Sequence, residues 1–125
     1  AINIEAKAMI DIASKQIIPA VIKYTKSLAD TVNSVTAAGA EASVQSELLA
    51  ETSGLLSDTK VALQKLIDLD KKSEEVPEGT ELAHYFHEEI VPAMAELRAP
   101  VDTLEMIVDK EMWPMPSYGD LMFEV

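Results

Sequence analysis

The chain has 125 residues, enough to bury a single core. Hydrophobic residues form 48% of it but aromatics only 5%, a diet of Ala, Leu, Ile and Val that favours packed helices over a β-sandwich. The absence of cysteine excludes a disulfide framework and a thiolate metal site, and no apolar run approaches a membrane span.

Charge narrows the partners. The net charge is −12, and residues 73–125 carry thirteen acids against only Arg98 and Lys110. Nothing supplies the basic stripe that phosphate binding needs, so nucleic acid is not expected as a partner. The acidic third reads first as a solvated helix face, and second as a match for a basic partner surface. Lack of cysteine fits a cytoplasmic protein. The sequence opens at Ala1 directly in helical pattern with no charged-then-apolar leader, as expected of a fragment of a longer chain.

Three long helices are predicted, over residues 3–38, 41–72 and 80–112. In the first, Ile10, Ala13, Ile17, Val21, Tyr24, Leu28, Val32 and Val35 recur in threes and fours, the spacing of one buried helix face. Gly39 is placed to supply its left-handed C-cap. The second repeats leucine pairs every seven residues, Leu48-Leu49 and Leu55-Leu56, then Ala62-Leu63 and Leu69, a stripe wide enough to touch two neighbours. A polar stretch with Pro77 and Gly79 ends it, and Thr80 is the expected N-cap of the third helix. That helix carries Leu82, Phe86, Ile90, Ala93, Leu97, Val101, Leu104 and Val108, and Pro114 is expected to stop it at Met112.

Short connections between long helices make them antiparallel neighbours, so the expected fold is all-α, an up-down-up bundle. Pro19 and Pro92 each remove one backbone donor, yet the apolar spacing runs through both, which predicts kinks in the first and third helices and no break. Pro100 either bends the third helix again or restarts it. Leu55, Leu56, Leu66, Leu97 and Leu104 are expected in the core.

Sites for chemistry are sparse. Glu81, His84, His87 and Glu88 include the Glu-x-x-His spacing of di-iron carboxylate bundles, but no second copy exists, and solvated surface histidines are the favoured reading. There is no nucleophile elbow and no glycine-rich phosphate loop. Catalytic, cofactor and metal residues are therefore expected to be absent. Residues 113–125 are the exception to the low aromatic content, holding Trp113, Tyr118 and Phe123 with Met115, Leu121 and Met122. Such a tail either folds back to cap the bundle or docks on another domain or subunit. Trp113, Pro114, Pro116, Tyr118, Leu121 and Phe123 are the candidate docking residues.

The ordered run VDTLEMIVDKEMWPMPSYGDLMFEV, with Trp113-Pro114, Pro116, Tyr118, Asp120-Leu121 and Phe123, resembles the C-terminus of type III glutamine synthetases. The opening NIEAKAMIDIASKQIIPAVIKYTKSLADTVN is similar to the helix that follows their catalytic region. The resemblance implies a parent ligase joining ammonia to glutamate with ATP and magnesium, in cytoplasmic homo-oligomers, its active-site residues lying upstream. The fragment's partners would be the rest of the parent chain and neighbouring subunits, with no membrane. Two other classes compete. A free-standing helical interaction or signalling module would self-associate along its length, and a ferritin-like metal-carboxylate bundle would retain metal on purification.

Overall fold

The structure is a computed structural model, and its described residues are 1–115. These fold into three long helices joined by two short loops, with no strand among them. The first helix combines Ile2–Ile12 and Ile18–Ala37, the second is Ser43–Ser73, and the third combines Thr80–Tyr85 and Val91–Ile107. In the first and third, a single π-helical turn joins the two α-helical parts, Ala13–Ile17 and Phe86–Ile90 respectively.

Each π-turn ends two residues before a proline, Pro19 and Pro92 respectively. The N–H of Ile18 reaches back five residues to Ala13 O, and that of Val91 to Phe86 O. Proline lacks an N–H and its ring crowds the carbonyl four residues earlier, so a wider turn there relieves the clash without ending the helix. It also explains the apolar pattern. Ala13, Ile17 and Val21 are all buried and step by four, as do the inward residues Phe86, Ile90 and Met94. Four residues overshoot a regular α-turn by about 40°, and a wider turn absorbs that drift. Pro100, by contrast, lies inside an unbroken stretch of α-helix and restarts nothing.

The helix ends differ from expectation at two places. Gly39 adopts φ +83°, Gly39 N–H donates to Thr36 O and Ala40 N–H to Val35 O, a Schellman-type C-cap. Thr80, however, is the first helical residue of the third helix, and Gly79 occupies the N-cap with φ 104°. The third helix also stops at Ile107, five residues before Met112. Val108 turns extended, at φ −67° and ψ 140°, so the break precedes the reach of Pro114 and belongs to the turn that follows.

The core has two parts. One gathers Ala6 and Ala13 of the first helix, Leu63 and Leu66 of the second, and Ile90, Ala93, Met94 and Leu97 of the third. The other joins Ile17 and Val21 to Leu104, Val108 and Trp113. Leu66, Leu97 and Leu104 are buried as expected, but Leu55 and Leu56 are only half-buried. The fully buried residues at that level of the second helix are Thr52 and Thr59. At 100° per residue, the leucine pairs flank the inward line and the threonines lie on it.

Polar contacts tie the helices together at specific levels. Lys7 Nζ donates to Asp70 Oδ2 at 2.9 Å, joining the beginning of the first helix to the end of the second. Tyr85 Oη donates to Leu69 O at 2.7 Å, and Lys65 pairs with Glu96 at 2.9 Å. Farther along, Tyr24 Oη donates to Ile107 O at 3.3 Å, satisfying a carbonyl that the helix end leaves free. The Asp70 carboxylate beside Lys7, through its hydrogen bond first and its charge second, raises the ammonium above its ordinary value of 10.5. Burial, helped by Glu89 and Asp70, raises the Tyr85 phenol above 10.0.

Two predictions come from this packing. Leu66→Ala, Leu97→Ala and Leu104→Ala should each cost about 2–5 kcal/mol in urea melts, while changes at Glu74, Glu75 or Glu78 stay within about 0.5 kcal/mol. The threonines refine the test: Thr59 Oγ1 donates to Leu55 O, whereas buried Thr52 Oγ1 has no partner. Thr52→Val should thus be neutral or stabilising, and Thr59→Val should cost about 0.5–1.5 kcal/mol. Equal losses at both would contradict this register.

The second concerns alkaline pH. Lys7 and Tyr85 both hold their protons more tightly in the folded state, so the folded protein binds more protons at high pH. Their contribution is fully present below about pH 10 and is lost as pH rises through the raised values. Urea midpoints should therefore fall from about pH 10 upward, and Tyr85→Phe should flatten that fall. An unchanged slope in the variant would remove Tyr85 from the account.

Candidate functional site

An open apolar groove of about 380 Å³ lies between the first and third helices. Ala8, Met9 and Ile12 form one wall, Val101 belongs to the other, and Trp113 and Met115 close one end. Ala6, Ala13 and Ala93 are buried in the adjoining core, where small side chains keep the surface low between the two helices.

The end wall is built by a turn. After Ile107, Met112 N–H and Trp113 N–H both donate to Asp109 O, at 2.9 and 3.0 Å. Asp109 Oδ1 accepts from Glu111 N–H at 2.9 Å, the local side-chain bond that Asp offers a turn. The chain thereby reverses and sets the Trp113 ring against Ile17, Val21, Leu104 and Val108. Trp113 is 8% exposed, and its Nε1–H has no hydrogen-bond partner. Pro114 is exposed and borders a shallow hollow with Gln16, Pro19 and Ala20.

Four charged residues border the groove: Glu5, Arg98, Asp102 and Glu105. None of them forms an ion pair among the described residues. Lys7, Lys15, Lys26 and Lys65, elsewhere on the surface, all do. The rim is thus a concentration of three carboxylates and one guanidinium that form no ion pair among the described residues.

Of the six tail residues singled out from sequence, Trp113 and Pro114 are placed as above. Pro116, Tyr118, Leu121 and Phe123 lie outside the described residues. Trp113 folds back on its own bundle. Glu81, His84, His87 and Glu88 are all exposed, and no group of three or more His, Asp or Glu among the described residues is arranged to hold a metal ion. No helix among the described residues is long and apolar enough to cross a membrane. Of the groove lining, Ala13, Ile17, Leu97, Val101 and Trp113 stand out in the sequence, whereas Ala8 and the rim acids do not, because they look like ordinary solvent-facing positions.

Comparison with known proteins identifies the class. The family model described as "Glutamine synthetase C-terminal domain" matches residues 1–36. Over 98% of its length the chain is 30% identical to the type-3 glutamine synthetase of Dictyostelium discoideum and 27% identical to the glutamine synthetase of Bacteroides fragilis. A glutamine synthetase of Butyrivibrio fibrisolvens is 33% identical over 51% of the chain. The chain belongs to the type III glutamine synthetase family, as its C-terminal domain. It spans 17% and 18% of the length of the first two relatives. No solved structure matches it.

The Asp109 turn gives a direct test, because Trp113 is the only tryptophan. Asp109→Ala should cost about 0.5–2 kcal/mol, as the loss of a capping side chain does, and shift tryptophan emission to the red as the ring loosens. Unchanged emission at full stability would show that packing alone holds the ring.

Proposed function

We propose that this chain is one non-catalytic helical domain that serves its parent glutamine synthetase through contact, by domain docking or by assembly of the oligomer. The observation that carries the reading is the apolar surface left open on a chain that spans under a fifth of its relatives' length. An open apolar groove of this kind marks a contact surface. At separate places on the surface, Ile4, Val44, Val61 and Met106 are each at least 65% exposed. The parent would ligate ammonia to glutamate with ATP and magnesium, in the cytoplasm, as a homo-oligomer.

The bundle itself we read as up-down-up. In support, Lys7 near the start of the first helix meets Asp70 near the end of the second. From the Tyr85 contact with Leu69 to the Glu96 pair with Lys65, the third helix advances while the second goes back. Tyr24, in the later part of the first helix, meets Ile107 at the end of the third. The two π-turns would carry paired bends that let the outer helices curve around the second.

The test uses the parent enzyme. Replacing Trp113, Tyr118 and Phe123 by Ala should disturb assembly on gel filtration before it changes the chemistry of the assembled fraction. Because Trp113 is buried, its loss alone destabilises the domain, by about 3–5 kcal/mol. The Tyr118→Ala/Phe123→Ala pair, which leaves that ring in place, separates docking from stability. Intact oligomers with lost turnover in the pair would instead put the tail beside the active site, and full assembly with full activity would remove its docking role.

A further inference from the structure

We infer that the groove between the first and third helices receives an amphipathic helix from elsewhere in the parent chain, apolar on one face and edged with Lys or Arg. The inference rests on the docking role proposed above and names its surface and occupant.

Shape supports a helix. From Glu5 to Ile17 the groove follows the first helix for about 18 Å, the length of about twelve helical residues. Its walls offer Met9, Met115 and Trp113, the adaptable thioethers and rigid aromatic that grooves for helices use. Trp113 lines one end and is more than nine-tenths buried, so its ring is a fixed stop against which an occupant can pack.

Charge selects the occupant. Glu5 stands at one end, Asp102 and Glu105 toward the other, and only Arg98 opposes them in sign. Lysines or arginines along the edges of an incoming helix would pair with these carboxylates, whereas an acidic segment would be repelled. This argues against residues 116–125 as the occupant, since they carry Asp120 and Glu124 and no cation. A second copy of the groove face is excluded on the same ground, because acids would meet acids. More than four fifths of each of the first two relatives lies outside the aligned region, ample chain for the helix to come from.

The experiment places the photo-crosslinker p-benzoylphenylalanine in place of Ala8, an exposed residue of the groove wall, in the full-length parent enzyme. Mass spectrometry of the irradiated enzyme should map the adduct to an apolar, Lys- or Arg-bearing segment outside residues 1–125. Adding Asp102→Lys and Glu105→Lys should reduce the yield about tenfold, while the single Arg98→Gln should not reduce it. Adducts confined to residues 1–125, adducts to an acidic segment, no adduct, or a yield indifferent to charge reversal would each overturn the inference. If assembly still fails in the Tyr118→Ala/Phe123→Ala enzyme, such a result sinks the groove alone and leaves the docking role standing.

Discussion

Proline without an N–H sets the architecture. At Pro19 and at Pro92 the chain answers the same constraint in the same way, with a π-turn completed by the residue just before the ring. The lost donor costs one intrahelical bond, but the five-residue reach of Ile18 and Val91 keeps each helix continuous. Continuity matters because both core clusters draw on residues from either side of the prolines. Ala6 and Ala13 serve one cluster and Ile17 and Val21 the other, all on a single first helix.

From that continuity the groove follows. The first and third helices lie along each other with alanines at their buried contacts, and small residues leave a low channel where longer ones would close it. Trp113 then stops the channel at one end, held by a turn that Asp109 organises. The result is an apolar trough whose rim acids form no ion pair among the described residues, on a domain of the glutamine synthetase family that is a small part of the relatives it matches.

The second helix shows how far a pattern of hydrophobicity carries. Its heptad leucine pairs locate the buried side to within one residue, and no closer. Thr52 and Thr59 sit on the inward line itself, and Asp70 and Ser73 continue it with polar groups. Each of the last three is anchored: Thr59 donates to Leu55 O, Asp70 accepts from Lys7, and Ser73 donates to Asp70 O. A polar residue at a core position is read as exposed unless its partner is known, and those partners include a residue 63 positions away.

Helix number, the continuity of the apolar faces through Pro19 and Pro92, the Gly39 cap and the family were all legible in the sequence. Each rests on residues near one another in the chain, or on an ordered run of them. The tertiary structure decided what depends on distant neighbours. It placed the end of the third helix at Ile107, where Val108 and the Asp109 turn bring Trp113 against Ile17 and Val21. It put threonines in the core in place of Leu55 and Leu56, and it assembled a groove from Ala8, Met9, Val101 and Trp113. Periodicity reports which side of a helix is apolar; only the approach of a second helix determines which of those residues is covered and which is left open.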